Sequence, residues 1–305
     1  MREAVVSVAV ATVWAEPGAV RDVDAPALTA PSDVRRWATG LDASGREALG
    51  GRVRTQALLG EPVLIRALQG AWAEVVLPSQ PSRHDPEGYP GWIPLGQLSP
   101  ASPGYADPAT ASHVVNATAT ALRDEPDGDV TMPGVVIGTR LHAAGAPSGE
   151  WLPVRVPGAP DPLWARLYDL VPTWGMPETD PGWVALETAA RLLDVRYVWG
   201  GMSPWGVDCS GLTHLAWRRQ GVRIPRDAAD QAAALPPVPP GEERPGDLYV
   251  FARTGEPVHH VGLVAPPEDG RSWMLHACGD QGRVVLEAVT GEREATRTAV
   301  VRPGG

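Results

Sequence analysis

The segment VAVATVWAEP (8–17) returns later in the chain as NATATALRDEP (116–126), and the segments downstream of the two copies are also alike. After the first come EPVLIRALQGAWAEVVLP (61–78) and YPGWIPLGQL (89–98); after the second come GVVIGTRLHAAGAPSGEWLPVRVPG (134–158) and PLWARLYDL (162–170). Each copy thus runs from a strand to a tryptophan-bearing strand and then to a short Trp strand ending in leucine, with Pro/Gly turns between. A pattern that occurs twice is read as two small β-barrels in tandem, over 1–105 and 106–173, better than as one large sheet. The first copy carries a helical insertion, PSDVRRWATGLDASGREALGG (31–51), with Ser32 as its cap and Gly50 as its stop. The repeat also bears on the N-terminus, where MREAVVSVAVATVWAEP offers a short apolar run. Its counterpart lies inside the chain, only one Arg stands at its start, beside Glu3, and no small-residue cleavage pattern comes after it. It is read as a structural strand, and the cytoplasm is the expected location, with a secreted form left open.

A Pro/Gly-rich stretch, PTWGMPETDPGW (172–183), marks a change of pattern. Beyond it, GWVALETAARLLDV (182–195) has amphipathic helical spacing, and Ser210 to Arg219 reads as a second helix closed by Gly221. Four apolar strands come next, at 247–252, 259–265, 272–277 and 283–289. Helices first and strands after predict an α+β domain over 174–305. The 34 Gly, 33 Pro and 12 Trp beside one Phe favour short strands and turns in the chain as a whole. A formal charge of −10, with scattered arginines as the only basic residues apart from histidine, argues against a nucleic-acid partner. No apolar run is long enough to predict a membrane span.

Cys209 lies in YVWGGMSPWGVDCSGLTHLAW (197–217), at the predicted helix start. By residue type alone a cysteine there is more often a structural thiol, and Asp208 before it an N-cap. At a helix N-terminus, however, the dipole and unsatisfied N–H groups favour a thiolate and can hold an oxyanion. A nucleophilic thiol needs a base, and His260 and His276 fall in consecutive apolar strands. Paired as an antiparallel hairpin, those strands would set the two rings side by side, one as base and one orienting it, with no carboxylate in the arrangement. His259 should face away from His260, and His214 reads as a surface or packing residue.

YVWGGMSPWGVDCSGL, IPRDAADQ (224–231), RPGDLYVF (244–251), HVGLV (260–264) and MLHA (274–277) occur in the order and spacing of the NlpC family of papain-like cysteine peptidases, which residues 180–300 resemble. The two repeats resemble bacterial SH3-like (SH3b) domains. The whole is similar to members with two SH3b domains ahead of the catalytic one, the γ-D-glutamyl-L-diamino acid endopeptidases of dipeptidyl-peptidase VI type. The resemblance implies Cys209 as nucleophile, His260 as base, His276 as third member and Tyr197 beside the thiol. It implies cleavage of the γ-D-Glu to diamino acid bond of free murein stem peptides with an unblocked N-terminal L-Ala, releasing L-Ala-γ-D-Glu for recycling. Asp208 matches a residue that holds the substrate ammonium; Glu61 and Tyr89 are candidates for its partners from the first barrel, and Ser210 for the pocket lining. Where some relatives carry Ser, this chain has Ala228. Cys278 is then a free, buried thiol, because a disulfide to Cys209 would abolish activity. Neither cysteine has partners at zinc-ligand spacing, so no metal or cofactor is expected. A wall-bound peptidoglycan endopeptidase, or an acyltransferase or amidase on the same thiol fold, are the competing readings.

Overall fold

The computed structural model describes residues 2–101, 110–174 and 180–304. The expected boundary at 105/106 and residues 175–179 of the Pro/Gly-rich stretch lie outside the described residues. Seven strands form the first sheet: β1 (Arg2–Val6), β2 (Val10–Trp14), β3 (Val53–Leu58), β4 (Pro62–Gln69), β5 (Trp72–Leu77), β6 (Tyr89–Pro94) and β7 (Leu98–Pro100). Seven more form the second: β8 (His113–Val115), β9 (Ala119–Arg123), β10 (Val130–Val136), β11 (Arg140–Ala143), β12 (Trp151–Arg155), β13 (Leu163–Arg166) and β14 (Leu170–Pro172). Their orders are β3-β2-β6-β5-β4-β1-β7 and β10-β9-β13-β12-β11-β8-β14. Strand for strand the two orders are the same, so the sequence echo is an echo of topology: VATVW and ATALR are both second strands. Each barrel has its own interior, Val13, Val63, Leu77 and Ile93 in one and Leu122, Val135, Leu152 and Ala165 in the other.

The insertion is longer than expected, filling the chain between β2 and β3 with α1 (Ala25–Leu28), α2 (Val34–Gly40) and α3 (Ala43–Glu47). Ser32 does not cap it: its hydroxyl donates to the Val10 carbonyl at 2.6 Å, and Asp33 accepts the Arg36 N–H at 2.9 Å in its place. Gly50 is not the left-handed stop either; α3 ends at Glu47, and Gly51 takes the positive φ of 75°. Trp37 of α2 donates its indole N–H to Asp24 and sets its ring edge-on to Trp14, which anchors the insertion on the barrel.

The α+β unit begins with α4 (Pro181–Ala190), continues through the hairpin β15 (Met202–Ser203) and β16 (Gly206–Val207), and enters α5 (Cys209–Arg218) and α6 (Ala228–Ala234). A five-stranded antiparallel sheet completes it, in the order β20-β19-β18-β17-β21, built from β17 (Leu248–Phe251), β18 (His260–Glu268), β19 (Arg271–Cys278), β20 (Arg283–Ala288) and β21 (Arg297–Val301). The short helix α7 (Gly291–Thr296) precedes β21. One apolar cluster joins all three units, from Trp14, Trp37 and Leu41 through Val136 and Ile137 to Leu186, Leu212, Leu215 and Leu263. Separating the units would expose these side chains at about 1.5–3 kcal/mol for each large one, so the barrels act as parts of the scaffold that carries α5. Among the described residues, no helix is long and apolar enough to cross a membrane.

Candidate active site

Cys209 is the first residue of α5, and Asp208 is its N-cap in extended conformation, accepting the Gly211 N–H at 2.7 Å. The thiol is buried, and the backbone N–H groups of Val261 and Ser210 point to it. Burial pushes Cys209 up to about 12, and the Asp208 carboxylate adds to the rise; the two N–H groups and Arg226 oppose it without overturning it. Taking the sulfur out of water thus opposes the thiolate that the helix start favours.

His260 opens β18, and His276 lies on the adjacent antiparallel strand β19, where Leu263 pairs with Leu275. His260 Nε2 is 2.7 Å from His276 Nδ1. Extending the register puts Gly262 across from His276, and this glycine is required by space: a Cβ there would lie 2.4 Å from Met274 Sδ and 2.9 Å from His276 Cβ. A side chain at Gly262 would therefore displace Met274 or His276 itself. Burial first, then His276 and Arg293, holds His260 well below the ordinary histidine range. Burial likewise takes His276 down to about 4 despite its bond to a carboxylate. Both rings are neutral near pH 7.

That carboxylate corrects an expectation. His276 Nε2 is 2.9 Å from Glu287 Oε1 on β20, and Glu287 Oε2 accepts Gln281 Nε2 at 2.6 Å. Glu287 pairs in register with Met274, one alternation from His276. Its sequence signal is a single acid in the apolar run RVVLEAV, which says nothing until the strand register is known.

Around Asp208 the missed residue is Arg226, from the motif IPRDAADQ. Its buried guanidinium grips Asp208 through Nη1 at 3.0 Å and Nη2 at 2.8 Å, and also donates to Ser210 Oγ at 2.9 Å. Its Nε reaches Thr55 Oγ1 on β3 of the first barrel at 2.8 Å. The Gly200 N–H fills a further site on Asp208 Oδ2 at 2.7 Å. Both carboxylate oxygens are thus committed, and Arg226 balances their charge. Gln231 supports the helix start, donating to the Ser210 and Pro225 carbonyls and accepting from Thr213. Tyr197 lies within electrostatic reach of Cys209; burial, then that neighbour, raises its hydroxyl pKa.

Glu61 is not presented to this site. The residue is 1% exposed, and its carboxylate accepts from Leu58 N, Ser79 Oγ and Gln80 Nε2, with Arg218 Nη2 at 3.2 Å. No oxygen is left for a ligand, so its expected substrate contact is corrected to an ion pair between the first barrel and α5. Tyr89 does reach across: its hydroxyl donates to both oxygens of Asp227, at 2.9 and 3.0 Å. The Asp227 side chain remains 30% exposed, with His84 Nε2 3.5 Å away. Asp227 was missed as a candidate; its signal was adjacency to Arg226 in the same motif.

Among the remaining histidines, His259 is exposed, while His214 is buried in α5, where burial and then Arg218 and Arg226 lower it to about 4. Cys209 and Cys278 are both free and buried. Cys278 Sγ accepts from Arg293 Nη2 at 3.3 Å and from the Gln281 N–H at 3.5 Å. His276, Cys278 and Glu287 could hold a metal ion, with ligand atoms within 4.8 Å of one another. Arg293, 3.9 Å from Glu287 Oε1, already directs a positive charge at that group.

The profile of the NlpC/P60 family matches residues 194–302. Over nearly the whole chain, this protein is similar to the γ-D-glutamyl-L-lysine dipeptidyl-peptidases of Bacillus subtilis and Bacillus cereus. The first is 34% identical over 273 residues, covering 88% of this chain and 88% of the relative. The second is 31% identical over 291 residues, covering 90% and 83%. The crystal structure of an NlpC/P60 family protein from Bacillus cereus superposes with a TM-score of 0.88 at 28% identity, covering 98% of this chain and 99% of that one. With one relative 34% identical over 88% of both chains and the family profile matching the unit that carries Cys209, His260 and His276, the chain belongs to the NlpC/P60 family of cysteine peptidases.

Proposed function

We propose that this peptidase hydrolyses the γ-D-Glu to diamino acid bond of free peptidoglycan stem peptides, releasing L-Ala-γ-D-Glu in the recycling of wall peptides. The names of the two Bacillus relatives, γ-D-glutamyl-L-lysine dipeptidyl-peptidases, support the bond and the release of a dipeptide. The observation that carries selection for a free amine is the meeting of Tyr89 with Asp227. Arg226 neutralises Asp208, and the Tyr89 hydroxyl is uncharged, so Asp227 is left as a partly exposed negative charge one residue from the Asp208 partner. An ammonium is its complement.

In this reading Cys209 Sγ attacks the γ-carbonyl carbon while its proton passes to His260 Nδ1, the nitrogen not engaged by His276. The Ser210 N–H at the head of α5 faces the oxyanion. The C–N bond then breaks, the amine of the diamino acid departs with the proton from His260, and a thioester remains on Cys209. Water attacks the thioester, His260 again takes the proton, and the dipeptide leaves as the thiol is restored.

The test is mass spectrometry of products from L-Ala-γ-D-Glu-L-Lys and its meso-diaminopimelate counterpart, beside their N-acetylated forms. The free peptides should be cleaved and the blocked ones disfavoured by about 10²-fold, the worth of losing a charged hydrogen bond in a partly buried site. Asp227→Asn should erase most of that difference. Equal cleavage of both forms would remove the ammonium selection, equal release from intact sacculi would favour a wall-bound endopeptidase, and transfer to an added amine in place of water would favour an acyltransferase.

A second expectation concerns pH. Because His260 is held below the ordinary range, it stays unprotonated, and competent as a base, into more acidic solution than a free imidazole. The acid limb of kcat/KM, recorded from about pH 4 to 8 on the free tripeptide, should lie below the ordinary histidine value of about 6.5. A limb at or above that value would mean that burial does not govern His260.

A further inference from the structure

Two hydrogen-bonded neutral imidazoles can be arranged in either of two directions. In one, His260 carries its proton on Nε2 and donates to His276 Nδ1, leaving a lone pair on His260 Nδ1. In the other, His276 donates from Nδ1 to His260 Nε2, and the His260 proton sits on Nδ1. Only the first arrangement can accept a proton from a thiol at Nδ1. The 2.7 Å contact between the rings fits both directions equally.

Glu287 breaks this equivalence. Its carboxylate accepts from Gln281 Nε2 at 2.6 Å and faces Arg293 Nε at 3.9 Å, both of them donors, so it offers the imidazole an acceptor and no proton. At 2.9 Å from Glu287 Oε1, His276 Nε2 must carry the hydrogen. His276 Nδ1 is then the acceptor, His260 Nε2 the donor, and the His260 lone pair falls on Nδ1. We infer that Glu287 is a positioning residue that fixes the tautomers of both histidines and so keeps His260 competent as a base, an inference that rests on the proposed role of His260. When Nδ1 takes the thiol proton, His260 becomes a cation held by the same chain of acceptors; no proton moves to Glu287.

The experiment is ¹⁵N NMR of the full chain labelled at histidine, at a pH where both rings are neutral, with the two rings assigned by His276→Gln. In the unsubstituted protein both rings should show a protonated Nε2 and a bare Nδ1. In Glu287→Leu, which removes the acceptor, the His260 signals should shift toward a mixture, and kcat should fall by about 10- to 100-fold, the usual cost of losing an outer hydrogen-bonding partner, with KM within about twofold. Glu287→Gln should recover much of kcat, since its amide oxygen can still accept. A protonated Nδ1 on either ring of the unsubstituted protein, or a Leu variant with unchanged tautomers and kcat, would overturn the inference. The unsubstituted spectrum decides the matter even where the Leu variant does not fold. It also needs no substrate, so failure of the tripeptide to be cleaved would count against the proposed substrate alone.

Discussion

Replacing Cys209 by alanine is expected to abolish hydrolysis while leaving the fold intact. The thiol is buried at the first position of α5, where alanine is a better helix former, and the cap belongs to Asp208, whose bonds to Gly211, Gly200 and Arg226 do not involve the sulfur. Removing one sulfur atom from this position should cost about 1 kcal/mol of stability. The chemical loss is far larger. Where nucleophile and base act as a unit, deleting the nucleophile alone lowers kcat by about 10⁶-fold, because the remaining groups have no bond to make with the substrate. His260, His276 and Glu287 would still form their chain, since none of their mutual bonds passes through Cys209. The measurement is kcat on the free tripeptide together with the thermal midpoint. Cys278→Ala is the necessary companion, for Cys278 is the other thiol near His276, and its contacts run to Arg293 and Gln281; that variant should still hydrolyse the peptide. Retention of more than about a hundredth of kcat in Cys209→Ala, or its loss in Cys278→Ala alone, would assign the nucleophile elsewhere.

The largest stability effect is expected at Arg226. Its guanidinium is 1% exposed and makes four hydrogen bonds, two to Asp208 and one each to Ser210 and Thr55. Arg226→Leu would leave the buried Asp208 carboxylate with the Gly200 and Gly211 N–H groups and the Ser210 hydroxyl beside it but no counter-charge. Removing one partner of a buried pair costs about 3–5 kcal/mol, most of it the burial of the charge left behind. Denaturation by urea should show this as a lower midpoint, and the double variant with Asp208→Asn should recover part of the loss, because the uncompensated charge is then gone. A single variant within about 1 kcal/mol of the parent would mean that the pair is worth no more than a surface ion pair. The same substitution removes the bridge in which Arg226 donates both to Thr55 of the first barrel and to Asp208, the cap of the nucleophile's helix. The accompanying links, Glu61 with Arg218 and the Met202 N–H with Gln56, would remain to hold the barrel in place.

Much of the architecture could be read in advance because its signals are local. The tandem strand pattern announced two barrels, which turned out to share one strand order. Alternation placed His260 and His276 on neighbouring strands, and the run from Asp208 to Gly211 announced a capped helix start. Errors arose where two segments had to meet. Ser32 and Asp33 are both capping residues, and which one turns to the helix depends on whether Val10 is near enough to take the serine hydroxyl. Glu61 stands in a short turn motif, but its carboxylate is claimed by Arg218, far away in sequence. Glu287 was invisible until the pairing of β19 with β20 brought it to His276, and Arg226 stood in a recognisable motif without its partnership with Asp208 being legible.

The protonation state of Cys209 shows the division most clearly. Its position at a helix start is a local property, and from that alone a thiolate is expected. Burial depends on what the rest of the chain lays over it, and the removal of water costs the charged form more than one helix end and two N–H groups return. By itself, then, the sequence determined the elements, their order and the residue types that bear the chemistry, since periodicity and capping act over a few neighbouring residues. Which charges are paired, which groups lie out of water and which carboxylate stays partly exposed depend on the assembled fold, because desolvation and hydrogen bonding act across a few ångströms of space between residues far apart in the chain.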